Sequence, residues 1–111
     1  MNWQISYFNA TLQQELLDWP TGLQARYIRL TDMMLAYGPN LGMPHTRALA
    51  SGLFEIRVKA SEGIGRVFYC CLAGQKIIML HCFIKKTEKT PKRELEIALQ
   101  RLKQVKNDAN P

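Results

Sequence analysis

Apolar residues recur along this chain with two different periods, and the changes of period mark out its elements. Trp3-Gln4-Ile5-Ser6-Tyr7-Phe8 alternates as an opening strand does. A short helix follows, with Asn9 or Thr11 able to cap it and Thr11 and Gln14 spaced as a capping box, until Trp19-Pro20 breaks it. A second box, Thr21 and Gln24, opens a longer helix in which Leu23, Tyr27, Leu30, Met34 and Tyr37 recur every three or four residues on one face. Gly38 then Pro39 is a strong stop: Gly accepts a left-handed cap and Pro cannot continue a helix. From Pro39 to Gly52 the chain reads as a loop.

Beyond Gly52 the period falls to two. Leu53-Phe54-Glu55-Ile56-Arg57-Val58-Lys59 alternates strictly, and apolar runs follow from Ile64 to Cys71 and from Ile77 to Ile84. The links Ala60-Ser61-Glu62-Gly63 and Ala73-Gly74 are short enough to favour an antiparallel meander. A last helix is predicted with Thr90 as N-cap and Pro91 in its first turn. Its apolar face is Leu95, Ala98, Leu99, Leu102 and Val105, with Lys92, Arg93, Arg101, Lys103 and Lys106 elsewhere. The expected architecture is α+β: an antiparallel-rich, four-stranded sheet with an N-terminal helical hairpin and a C-terminal helix, the helices on one sheet face. At 111 residues there is room for one domain, residues 1–111, with one modest core.

The alternation also sorts the charges. Phe54, Ile56 and Val58 should bury on one face, leaving Glu55, Arg57 and Lys59 together on the other. Arg66 should emerge opposite Val67, Tyr69 and Cys71, and the third run ends in Lys85 and Lys86. Residues 1–50 are neutral, Arg26, Arg29 and Arg47 balancing Glu15, Asp18 and Asp32. The rest of the chain therefore carries the whole formal charge of +6. Cations gathered on neighbouring strands suit a polyanion such as nucleic acid.

Other classes are disfavoured. No apolar run nears the roughly 20 residues of a membrane span, and Met1-Asn2-Trp3-Gln4 does not open a secretory signal. Cys70, Cys71 and Cys82 all fall in predicted strands without a Cys-x-x-Cys pair, so buried reduced thiols in a cytoplasmic protein are expected. With His45 or His81 they lack zinc-ligand spacing; no cofactor or metal is expected.

Cleavage of RNA by its own 2′-hydroxyl needs a base, a stabiliser of phosphate charge and an acid. Arginine forks suit the phosphate, and lysines crowded among cations can lose their protons more readily. His81 is a proton carrier by type, but its apolar run favours a packed, hydrogen-bonded residue. His45, in the loop before Arg47, could reach a substrate but reads more readily as solvated. Glu55 is either a base or an ion-pair partner.

Leu53-Phe54-Glu55-Ile56-Arg57, Gly65-Arg66-Val67-Phe68-Tyr69 and His81-Cys82-Phe83-Ile84-Lys85-Lys86-Thr87-x-Lys89-Thr90-Pro91 resemble the phage-derived, HigB-like branch of the RelE/ParE toxin superfamily. The similarity spans nearly the whole chain. It implies a RelE-like fold and the toxin of a type II toxin–antitoxin system, a metal-independent endoribonuclease that cleaves mRNA on the ribosome. It also implies an antitoxin, usually with a helix-turn-helix domain, that forms a hetero-oligomer with the toxin. By position, Arg57, Lys59, Arg66, Lys85 and Lys86 fall on the family's catalytic cations, with Lys89, Lys92 and Arg93 as RNA contacts and His81 and Glu55 as weaker candidates. The chain lacks the tyrosine that RelE carries near its C-terminus, which leaves the general acid open. A ParE-like gyrase inhibitor that cleaves nothing and a basic RNA-binding regulatory module remain alternatives.

Overall fold

The computed structural model describes residues 2–85 and 91–109. Their order is β1 (Gln4–Tyr7), α1 (Ala10–Leu17), α2 (Thr21–Tyr37), β2 (Thr46–Ala48), β3 (Phe54–Ala60), β4 (Gly63–Leu72), β5 (Lys76–Lys85) and α3 (Lys92–Ala109). The strands form one five-stranded sheet, β1-β5-β4-β3-β2, rather than the four expected. β3, β4 and β5 make the predicted antiparallel meander, and β1 joins β5 in parallel. The fifth strand is β2, inside the stretch that reads as a loop; it pairs antiparallel with the start of β3.

The caps differ in detail from those expected. Asn9, not Thr11, caps α1, its side chain accepting from the Leu12 N–H at 2.8 Å. At α2 the Thr21–Gln24 box does not form, because Thr21 is already helical and Pro20 holds the cap position. A carboxylate from 40 residues onward replaces it: Glu62, in the β3–β4 turn, accepts from Gly22 N–H at 2.7 Å, where the helix dipole favours negative charge. Gly38, at φ 103°, ends α2 as predicted. The proposed Thr90 cap lies outside the described residues; Pro91 immediately precedes α3, its carbonyl accepting from Glu94 and Leu95 N–H.

Two apolar clusters lie on opposite faces of the sheet. On one, Leu12 and Leu16 of α1 and Leu23, Tyr27, Leu30 and Met34 of α2 pack on Ile56, Val58, Val67, Tyr69, Ile77, Met79 and Cys82. Tyr37, read as the end of the α2 stripe, is 81% exposed. On the other face Ala98 and Leu102 of α3 pack on Leu53, Phe68, Cys70 and Leu80. The helices therefore do not share one face. An amphipathic period says that a helix has a face to bury, not which side of a sheet will take it.

A bulge in β5 sets what reaches the second face. Phe68 is paired with His81, yet Tyr69 is paired with Met79, so Leu80 is the extra residue. Leu80 and His81 consequently both stand on the α3 side, and Met79 drops into the α1–α2 core instead of sharing a face with His81. Arg101 of α3 donates to the Leu80 carbonyl at 2.7 Å and lies 4.7 Å over the Phe8 ring. It ties the helix to the bulge.

Trp19, at the break between α1 and α2, packs against β4 where Gly65 has no side chain; a Cβ there would lie 2.5 Å from the indole Cη2. Gly65→Ala should force the indole aside and lower stability by about 1–3 kcal/mol in urea denaturation, with a change in tryptophan fluorescence; an unchanged midpoint would refute the contact.

The three cysteines are free, Cys70 and Cys82 buried and Cys71 half-buried. Burial, then the neighbouring Cys71, pushes the Cys70 thiol from an ordinary 9.0 up to about 11. Burial raises Cys71, Cys82, Tyr27 and Tyr69 as well. The folded protein thus keeps these protons to higher pH than the unfolded chain does. For Cys70 the stabilisation is complete below 9.0 and is lost as pH rises toward about 11. Thermal melts across this range should show Tm falling with each step upward; a Tm that holds steady would contradict the burial of these groups.

Candidate nucleic-acid interface

The α3 face of the sheet is divided in two. α3 covers the half around Leu53, Phe68, Cys70 and Leu80. On the other half the register aligns rows of side chains across β3, β4 and β5. Arg57, Arg66 and Phe83 form one row; Lys59, Ile64 and Lys85 form the next. Four of the expected cations, Arg57, Lys59, Arg66 and Lys85, are thereby brought together. Lys86 and Lys89 lie outside the described residues, while Lys92 and Arg93 are exposed at the start of α3.

Two of these groups are not where alternation alone puts them. Glu55 and Arg66 do face away from the α1–α2 core, but they are only 2% and 8% exposed. Each covers the other: Arg66 Nη1 donates to Glu55 Oε1 in a buried ion pair that runs diagonally between β3 and β4. Arg47 of β2, directly opposite Glu55, reaches the same oxygen from 3.4 Å. The three-residue strand β2 thus supplies the second guanidinium. Burial, then the like charge of Arg47, pulls the Arg66 guanidinium below its ordinary value; an arginine stays charged at any working pH even so.

Arg57 sits directly across from Arg66, although like charges in that position repel. Among the described residues its guanidinium has no carboxylate partner. Arg57 Nε, Arg66 Nε and Glu55 Oε2 are buried and have no hydrogen-bond partner. All three residues line one pocket of about 70 Å³, together with Met43, Pro44, His45, Thr46 and Arg47. A second pocket of about 130 Å³ is lined by Arg26, Pro44, His45, Arg57 and Lys59, so His45 and Arg57 border both. The cleft lies where β2 begins, the preceding Met43–His45 loop continuing along the edge of β3 with Arg57 N–H donating to the His45 carbonyl at 2.8 Å. Two adjacent guanidinium forks lining one small cavity, each with an N–H that has no partner, are suited to one phosphate.

His81 is held elsewhere. Its Nε2 bonds Glu94 of α3, its ring stacks on Phe83, and Phe68 stands between it and Glu55 in the cross-strand register. It fastens α3 to β5. Arg26 of α2 and Arg47 were not anticipated in the cleft, and His45 read as solvated, since neither a helix period nor a loop-like stretch shows which strand it will border.

A family model described as Phage derived protein Gp49-like (DUF891) matches residues 14–103, from α1 into α3, and so includes every residue of this cleft. The chain belongs to that family. The family is associated with RelE-like toxins. Comparison with curated proteins gives no match. Among the described residues of this family member, no helix is long and apolar enough to cross a membrane.

The buried pair changes what an arginine substitution should do. Arg66→Ala leaves Glu55 without its closest counter-charge and should lower stability by about 3–5 kcal/mol. Arg57→Ala removes a half-exposed side chain from a repulsive pair and should leave stability within about 1 kcal/mol of the parent. Urea denaturation of both variants checks this; an Arg66→Ala protein as stable as Arg57→Ala would show that the pair is not buried.

Proposed function

We propose that the protein is the toxin of a type II toxin–antitoxin pair, acting as a metal-independent endonuclease on mRNA held in the ribosome. One observation carries this reading: Arg57 and Arg66 are paired side by side, each with a buried Nε–H that has no partner, and both line a cavity of about 70 Å³. In the reaction the 2′-hydroxyl attacks the adjacent phosphorus, and negative charge grows on the phosphate oxygens. Donors already in place stabilise that charge without reorganisation. Lys59 and Lys85, in the next row, extend the cationic surface along the RNA, with Lys92 and Arg93 as further contacts; the roles expected of Lys86 and Lys89 belong to the same track. A cognate antitoxin, of the helix-turn-helix type implied by the resemblance, would neutralise the toxin in a hetero-oligomer.

The ribosome is part of the proposal for an energetic reason. Holding reactants in attack geometry is worth about 7–11 kcal/mol, and a cleft this small grips little more than one phosphate. The mRNA must be presented by something larger, and free RNA should be cut poorly.

Inducing the chain in cells and mapping transcript ends tests this reading. Discrete new 5′ ends inside translated codons are expected, together with growth arrest. Arg57→Ala, which should fold normally, is expected to reduce these ends by about 10²–10³-fold, the usual effect of removing one donor to a developing oxyanion. Intact transcripts with stalled replication would overturn the proposal in favour of gyrase inhibition.

A further inference from the structure

We infer that His45 is the acid that protonates the leaving 5′-oxygen. This rests on the endonuclease reading above and adds the proton carrier that it lacks. His45 is half-buried and borders both halves of the cleft, beside Arg57 in each. Its backbone is fixed on both sides, its N–H donating to the Gly42 carbonyl at 3.0 Å and its own carbonyl accepting from Arg57 N–H. The residue is therefore anchored to β3 beside the site rather than carried on a loose loop.

Elimination among the cleft residues points the same way. An arginine cannot give up its proton, and Lys59 lines only the second pocket, as an exposed side chain. Glu55 bonds two guanidiniums through Oε1, which marks it as a carboxylate that accepts; its Oε2 is buried without a partner, and the residue lines the first pocket. The other histidine, His81, is bonded to Glu94. His45 is the remaining group in the first pocket that can donate a proton and recover it. The step is balanced without any co-reactant. Glu55 Oε2 takes the proton of the 2′-hydroxyl, and the 2′-oxygen bonds to phosphorus. The bond from phosphorus to the 5′-oxygen breaks, and His45 supplies that oxygen with a proton. A 2′,3′-cyclic phosphate and a 5′-hydroxyl result, and solvent returns the proton from Glu55 to His45.

The test uses ribosomes programmed with mRNA carrying, at the cleaved position, either the natural 5′-oxygen or a 5′-bridging sulfur, which departs without protonation. His45→Ala should cut the oxygen substrate about 10²–10⁴-fold more slowly than the parent and the sulfur substrate at close to the parental rate. Equal loss on both substrates would assign His45 a structural role, and no loss on either would remove it from the chemistry; both overturn the inference. If the parent arrests growth yet cuts neither substrate, the endonuclease reading itself fails. Should His45→Ala not fold, His45→Gln supports the same comparison, with melting and binding to a 2′-O-methyl mRNA complex as checks on the fold.

Discussion

A carboxylate and a guanidinium taken out of water on one sheet face must compensate one another, and the position of Glu55 against Arg66 organises everything around them. Their ion pair runs diagonally from β3 to β4, so it holds only in the observed register. A slip of either strand by one residue would turn its own charge into the α1–α2 core and strand the other. The pair also marks where apolar packing stops. On one side Phe68, Cys70 and Leu80 receive α3; on the other are the rows of Arg57 and Lys59, which no apolar side chain could cover without stranding charge.

That division separates stability from chemistry. The two apolar clusters and the ties of Arg101 to the β5 bulge and of His81 to Glu94 hold the fold. The cleft, by contrast, carries features that burial penalises: facing arginines and three polar atoms without partners. Such local conflict is expected where a surface is shaped for a ligand rather than for its own packing. An anion entering there would satisfy donors that the protein leaves open and screen Arg57 from Arg66. The scaffold tolerates the repulsion because Glu55 already balances one of the two guanidiniums.

Much of this was legible in the chain. The period of four and three in α2 and the strict alternation of β3 correspond to real faces, and Gly38 stops the helix as its conformational freedom suggests. The failures have physical causes. β2 is only Thr46–Ala48 and owes its existence to pairing with β3, so no local pattern announces it. Glu55 and Arg66 occupy polar positions of alternating strands, and alternation cannot say that two such residues will bury each other. Leu80 and His81 point the same way because of a bulge, which a period of two does not anticipate. His45 read as solvated because its loop is placed by contacts with β3 that are distant in sequence.

The central claim is that the Glu55–Arg66 pair leaves the Nε–H groups of Arg66 and Arg57 free for one phosphate. Arginine ¹⁵Nε resonances, followed by NMR while a non-cleavable 2′-O-methyl oligonucleotide is added, address it directly. The account predicts that the Arg57 and Arg66 signals shift first and together, while Arg101, whose guanidinium is engaged with Leu80 and Phe8, stays in place. Shifts that leave Arg57 and Arg66 unmoved and fall on arginines outside the cleft would contradict it.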